Sequence, residues 1–169
     1  MFISLEELKL QRIPFSKTYQ AGALDYHATE IRQIGAVKVE GSAELTGLEI
    51  RLRGHISGRV ETACDRCLEA VELPVECDFD LFYRAMSSIA RQEEVEIGPD
   101  ELDVGFYTGD GIELADVVVE QVNLFLPMKV LCRPDCKGLC PVCKVNRNLN
   151  PCECVESPAE SPFASLLGE

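Results

Sequence analysis

Six cysteines lie between residues 132 and 154, spaced Cys132-x3-Cys136-x3-Cys140-x2-Cys143-x8-Cys152-x-Cys154. Thiolates at this density, mixed with Gly, Pro and Asn, ligate soft metals rather than build an apolar core. Cys140-Pro-Val-Cys143 has the form of a zinc knuckle, whose tight turn aims backbone N–H groups at sulfur. Cys152-Glu-Cys154 can supply the second pair. Zn2+ takes four thiolates tetrahedrally at ~2.3 Å, and a shell so filled has no place for water, which makes the site structural. The expected cofactor is structural zinc, with Cys140, Cys143, Cys152 and Cys154 as the first choice of ligands. Cys132 and Cys136 replace two of these, reach elsewhere, or are simply buried small side chains.

Cys64-Asp65-Arg66-Cys67 is the second constellation. A pair of this spacing is half a zinc site, a redox pair or a structural turn. A thioredoxin-like redox motif requires a strand-to-helix junction, whereas strand patterns flank this pair on both sides. A second zinc held by Cys64, Cys67, Cys132 and Cys136 is one arrangement open to it, and leaves only Cys77, which lies on the apolar parity of its strand. Cys136-x3-Cys140-x2-Cys143 also has the spacing that holds an iron–sulfur cluster in radical enzymes using S-adenosylmethionine. Those enzymes need repeated strand–helix units, and none is patterned here. The two histidines, His27 and His55, form no recognisable triad. No phosphate-cradling glycine loop and no small-molecule site is legible, so the expectation is a non-enzyme. The alternative is a metal- or thiol-dependent enzyme, a nuclease or redox protein, working through the cysteines.

The formal net charge is −13, with 46% apolar residues and 7% aromatics. That acidity argues against general nucleic-acid binding, which is driven by Lys and Arg displacing counterions from phosphates. A protein partner is the readier expectation. Two local basic features remain. Lys129, Arg133, Lys137, Lys144 and Arg147 face only Asp135 and Glu153 in the cysteine segment; they either compensate the thiolate charge or touch RNA. Arg51, Arg53, His55 and Arg59 form a stripe on the solvated parity of a strand. The partner- or RNA-binding candidates are therefore Arg51, Arg53, His55, Arg59, Arg66, Lys137 and Arg147.

The elements that must position these residues follow from periodicity. Residues 1–35 are weakly patterned, with Ile13-Pro14-Phe15 reading as extended. From residue 36 the period is two, with Gly41-Ser42 expected to break or bend the run. Leu48, Ile50, Leu52, Ile56 and Val60 share the inward parity, and Gly54 and Gly58 lie on it where another backbone can approach. Val71, Leu73, Val75, Cys77, Phe79, Leu81 and Tyr83 repeat the pattern. Residues 36–83 thus predict an antiparallel meander of three or four strands. An acidic, mobile loop is expected over about 86–103. Leu114, Val118, Val122 and Phe125 then have helical spacing, ended by Pro127. Ser161-Pro162 opens a short apolar tail. The fold class is α+β: an antiparallel β-sheet meander, a packed helix and a C-terminal cysteine-rich zinc-binding segment. The domains expected are 1–128 and 129–169. Glu6 and Glu7 stand where a signal peptide would be basic or apolar, and no run approaches the ~18 apolar residues of a membrane span. A cytoplasmic protein is expected, where cysteines are metal ligands more readily than disulfides.

Several of these stretches together resemble one family. They are Cys64-Asp-Arg-Cys67-Leu-Glu, Glu120-Gln-Val-Asn-Leu-Phe-Leu-Pro127, Leu131-Cys-Arg-Pro-Asp-Cys-Lys-Gly-Leu-Cys-Pro-Val-Cys143, Asn148-Leu-Asn150, Cys152-Glu-Cys154 and the tail Ser161-Pro-Phe-Ala-Ser-Leu-Leu167. In this order they are similar to the YceD family, also called DUF177, over roughly 45–167. The resemblance implies a role in accumulation of large-subunit (23S) ribosomal RNA and in ribosome biogenesis. Its expected partners are a ribosome assembly intermediate, a ribosomal protein or an rRNA-processing factor, with local rRNA contact at most. Many family members have Gly after the knuckle where this chain has Lys144.

Overall fold

The computed structural model describes residues 1–27, 30–88 and 104–155. They fall into two compact units: Met1–Thr62 with Glu72–Met128, and Ala63–Val71 with Lys129–Glu169.

The first unit is mostly sheet. Residues left unassigned by pattern form strand β1 (Phe2–Ser4), helix α1 (Leu5–Leu10) and strand β2 (Ile13–Tyr19). Ser4 caps α1 by accepting the Glu6 N–H, and Glu6 and Glu7 sit where the helix dipole favours acid. Strands β3 (Arg32–Gln33), β4 (Val37–Thr46), β5 (Glu49–Ala63), β6 (Ala70–Ala85) and β7 (Val104–Tyr107) follow, then β8 (Gly111–Glu113) and helix α2 (Leu114–Phe125). The large sheet runs β2-β4-β5-β6-β7, with β3 on β5; β1 and β8 form a separate ribbon. The expected meander is β4, β5 and β6. The sheet is not wholly antiparallel, however: β7 pairs with β6 in parallel. Of the loop expected over about 86–103, Met86–Ser88 is a 3-10 turn and the remainder lies outside the described residues. So does the tail from Ser161.

Alternation dictates which side chains enter the core. Ile50, Leu52, Ile56 and Val60 of β5 are fully buried, as are Val37 and Val39 of β4 and Val75 of β6. Removing such a side chain costs about 2–5 kcal/mol, through lost transfer energy and the cavity left behind. Leu48 departs from the expected parity and is 83% exposed. It sits at the tip of the two-residue β4–β5 turn, where Thr46 pairs with Glu49 and Gly47 has φ 64. The right-handed twist of the strands favours such a positive-φ hairpin turn over any burial Leu48 could gain.

Gly41-Ser42 does not break β4. Gly41 lies directly opposite Gly54 on β5. A Cβ on Gly41 would come within 2.1 Å of the Arg53 carbonyl and 2.8 Å of the Phe15 ring; one on Gly54 would meet Phe79 at 2.7 Å. The paired glycines are the seat on which two core aromatics rest. Gln33, buried in the same unit, is satisfied at both ends: its Nε2 donates to the Tyr19 carbonyl at 2.8 Å, and its Oε1 accepts the Leu24 N–H at 3.1 Å.

Helix α2 buries Leu114, Val117, Val118, Val119 and Val122. The helical stripe does not extend to its last turn, because Leu124 and Phe125 are exposed. Pro127 ends the helix as expected, since the residue before it is driven to extended backbone. No helix among the described residues is long and apolar enough to cross a membrane.

Candidate metal centres

Two sulfur tetrads assemble in the second unit, Cys64–Cys67–Cys132–Cys136 and Cys140–Cys143–Cys152–Cys154, each with all four Sγ atoms within 4.8 Å of one another. All nine cysteines are free thiols. In the first tetrad Cys64 and Cys136 lie 3.9 Å apart and Cys67 and Cys132 3.6 Å. A tetrahedron of sulfurs at ~2.3 Å from a central Zn2+ has an edge of about 3.8 Å, which these two edges match. The set placed first by spacing comes together, and so does the alternative that joined Cys64 and Cys67 to Cys132 and Cys136. Cys77 stays apart, half-buried against the core of the first unit.

Each tetrad is built on the same turn. The Leu68 N–H donates to the Cys64 carbonyl, and the Lys144 N–H to that of Cys140, both at 2.9 Å. The Cys64 N–H donates to the Glu69 carbonyl at 2.8 Å, and the Cys140 N–H to Val145 at 2.9 Å. Leu68 and Lys144 occupy the matching left-handed position, with φ 61 and 60. Lys144 therefore adopts the geometry that glycine would take more easily. In sequence only the Cys-x-x-Cys spacing is shared, because the following Leu-Glu and Lys-Val have no side-chain chemistry in common.

The turns also activate the same sulfur. Burial raises the Cys64 thiol, but backbone N–H groups of Arg66, Cys132 and Cys67 outweigh it and bring it down to about 6. At Cys140 the Cys143 N–H is the largest influence; against burial, and helped by Val142, it gives about 6. Donors aimed at a sulfur stabilise its thiolate, the form that binds metal. The first tetrad is packed into a small apolar cluster with Val71 and Leu131, while Cys143 and Cys154 of the second are exposed.

Backbone and side-chain donors hold the first tetrad in place. The Cys132 N–H and Asn148 Nδ2 donate to Cys64 Sγ and Cys136 Sγ, each at 3.3 Å. Asn148 Oδ1 accepts the Lys137 N–H at 2.8 Å. Asn148 belongs in sequence to the loop of the second tetrad, so it ties one site to the other. Arg66 donates to the Cys136 carbonyl at 2.8 Å and accepts from the Leu139 N–H at 2.9 Å, a structural engagement. Lys137 and Arg147 have exposed side chains. Asp65, whose Oδ2 accepts the Val130 N–H at 2.6 Å, and Asn148 are not singled out by cysteine spacing; in sequence they stand only within the stretches that resemble the family.

The stripe on β5 is interleaved with carboxylates. Arg51 makes a bidentate pair with Asp80, with both contacts at 2.8 Å, and Arg53 joins the same carboxylate at 3.3 Å. His55 stands between Asp78 at 2.8 Å and Glu76 at 2.9 Å, which raise its pKa in that order. Arg59 is exposed and has no ion pair among the described residues. On this face Glu40, Glu44, Glu49, Glu61, Glu76, Asp78 and Asp80 are interspersed with Lys38, Arg51, Arg53, Arg59 and Arg84, while Arg32 stands opposite Glu61 and Arg12 donates to Ser42. Glu49 and Glu61 lie on β5 itself, but Glu40, Glu44, Glu76, Asp78 and Asp80 come from the adjacent strands, which the period of β5 alone could not reveal.

A family model described as "Large ribosomal RNA subunit accumulation protein YceD" matches residues 52–168, a span that contains both tetrads. The uncharacterized protein YlbN of Bacillus subtilis is 25% identical over 138 residues, covering 81% of this chain and 76% of its own. An uncharacterized protein of Mycobacterium tuberculosis is 32% identical over 96 residues, 57% of this chain and 44% of the relative. One of Mycobacterium leprae is 25% identical over 115 residues, 68% of this chain and 49% of the relative. The chain thus spans about half the length of the mycobacterial relatives it matches. No solved structure matches it.

Proposed function

The chain belongs to the YceD family, and from that membership we propose that it supports accumulation of large-subunit ribosomal RNA as a non-enzymatic binding factor. Both tetrads hold structural Zn2+ in this reading. Four thiolates complete the tetrahedron, whereas a hydrolytic zinc keeps one position open for water. The two measured sulfur edges of the first tetrad, 3.9 and 3.6 Å, and the two matching turns support zinc over a redox pair. Two filled sites carry excess negative charge, which Arg66, Lys129, Arg133, Lys137, Lys144 and Arg147 offset.

The partner in this reading is a basic protein, either a ribosomal protein or a processing factor in an assembly intermediate. A net charge of −13 favours encounter with such a surface and repels bare phosphate. The cytoplasm, where ribosomes assemble, is the compartment it implies. The observation that carries the reading is the family match across both tetrads.

The test is complementation in a bacterium deleted for its own family member. Wild-type chain is expected to restore the 23S to 16S ratio, and Cys64→Ser with Cys67→Ser to fail. Crosslinking in the complemented cells should recover basic proteins. Restoration by the cysteine variant would remove the first tetrad from the function, and exclusive recovery of rRNA would replace the protein partner with RNA.

A further inference from the structure

A cleft of about 360 Å3 lies in the first unit, bounded by α2, β7 and the β1–β8 ribbon. It shares no residue with the cysteine sites. Tyr107, Ile112 and Val117 line it from the core, all buried. Phe2 and Phe106 line it from outside and are 53% and 46% exposed. Two phenyl rings left in water at one cleft mark an interaction site more often than a plain surface does.

The charge of the cleft is one-sided. Asp116 and Glu120 stand one helical turn apart on the exposed side of α2. Glu120 accepts a hydrogen bond from Tyr83 Oη at 3.4 Å, and neither carboxylate has a cationic partner among the described residues. Glu113, at the same cleft, is paired with the Met1 amino group. No Lys, Arg or His lines the cleft among the described residues.

The geometry points to this cleft as the docking site for a short basic segment of a partner protein, one carrying Lys or Arg beside an aromatic or large aliphatic side chain. The apolar side chain packs on Phe2 and Phe106, and the cation meets Asp116 and Glu120. An Arg gains further by lying over a phenyl face. A second copy of the chain is a poor occupant, because two molecules of charge −13 repel. RNA is poorer still, since its phosphates would face unpaired carboxylates. This inference rests on the proposed function, names the chemistry of its partner and adds an apolar requirement that acidity alone does not impose.

The test is fluorescence anisotropy of a fluorescein-labelled Lys-Arg-Phe-Lys-Leu-Arg peptide with the full chain at about 0.15 M salt. Replacing Phe and Leu of the peptide by Ser is expected to weaken binding about tenfold or more, a change of ~1.4 kcal/mol. Asp116→Lys with Glu120→Lys, and separately Phe106→Ser, should do the same while circular dichroism stays unchanged. Glu76→Lys with Asp78→Lys, on the sheet face, should change affinity less than about twofold, or ~0.4 kcal/mol. Absence of binding, equal affinity for both peptides, or an equal loss in the sheet-face variant would overturn the inference. A failure here leaves the 23S to 16S ratio restored by wild-type chain untouched; a failure of the proposed function appears in that ratio whatever the peptide does.

Discussion

The backbone N–H of Val130 donates to Asp65 Oδ2 at 2.6 Å, and the Asp65 N–H donates back to the Val130 carbonyl at 2.9 Å. This reciprocal pair joins the turn carrying Cys64 and Cys67 to the segment about to deliver Cys132 and Cys136. It sets the register in which the two cysteine pairs meet. Asp65→Ala removes the charged acceptor, and such a bond is worth about 1.5–3 kcal/mol. The expected outcome is metal loss from the first tetrad at about tenfold lower chelator concentration. Asp65→Asn keeps an acceptor and should retain most of the affinity. Identical chelator curves for wild type and Asp65→Ala would discount the contact.

Metal removal should proceed in two steps. Mass spectrometry under native conditions is expected to find two zinc ions per chain. Graded chelator should strip the second tetrad first, because Cys143 and Cys154 are exposed while Cys64, Cys67 and Cys136 are buried. Cys140→Ser with Cys143→Ser should remove the early phase and keep the late one. A single phase, or one ion per chain, would contradict the two-site reading.

Gly54→Ala places a methyl group 2.5 Å from the Glu40 carbonyl and 2.7 Å from the Phe79 ring. Neither backbone nor a packed ring yields cheaply. A stability loss of about 1–3 kcal/mol is expected in urea unfolding. Gly35→Ala, which meets nothing within 4 Å, is the control and should be near neutral.

His55 gives the sheet a pH dependence of definite sign. Hydrogen bonds that its ring N–H groups donate to Asp78 and Glu76 raise its pKa above the ordinary 6.5. A group whose pKa is raised by folding contributes its full stabilisation below the unfolded value and loses it as pH climbs through the folded one. The difference in stability between wild type and His55→Gln should therefore be present at about pH 6 and vanish in mild alkali. It should also shrink in high salt, because the site is open to solvent. A difference that grows with pH would reverse the assignment.

Leu68 and Lys144 both hold left-handed backbone, at φ 61 and 60. That conformation costs a non-glycine residue about 1–2 kcal/mol, partly recovered because glycine loses more freedom on folding. Leu68→Gly and Lys144→Gly are expected to keep both metals and leave stability equal or raised by up to about 1 kcal/mol. Val at either position, whose branched Cβ tolerates this backbone least, should weaken the adjoining site. Chelator titration of the four variants separates the outcomes.

The meander, helix α2 and the metal-ligand spacing of the cysteines in 132–154 are written locally. Period two in β5 and β6, period 3.6 from Leu114 and cysteine spacing each depend on neighbours a few residues apart, so the chain alone carries them. Cys140, Cys143, Cys152 and Cys154 could be grouped for the same reason. The first tetrad could not be fixed that way. Cys67 and Cys132 lie 65 positions apart in the chain, and spacing left Cys132 free to join either site or none. Only the folded backbone, with Asp65 and Val130 locked together, removed that freedom. The stripe from Arg51 to Arg59 shows the same limit. A strand's own period says which side chains face water, but not that Glu76, Asp78 and Asp80 will be the neighbours. Nor did it say that β7 would join in parallel, or that Phe106 and Asp116 would line one cleft. Cross-strand and cross-segment neighbours depend on register and topology, which are set by the burial of the whole core at once.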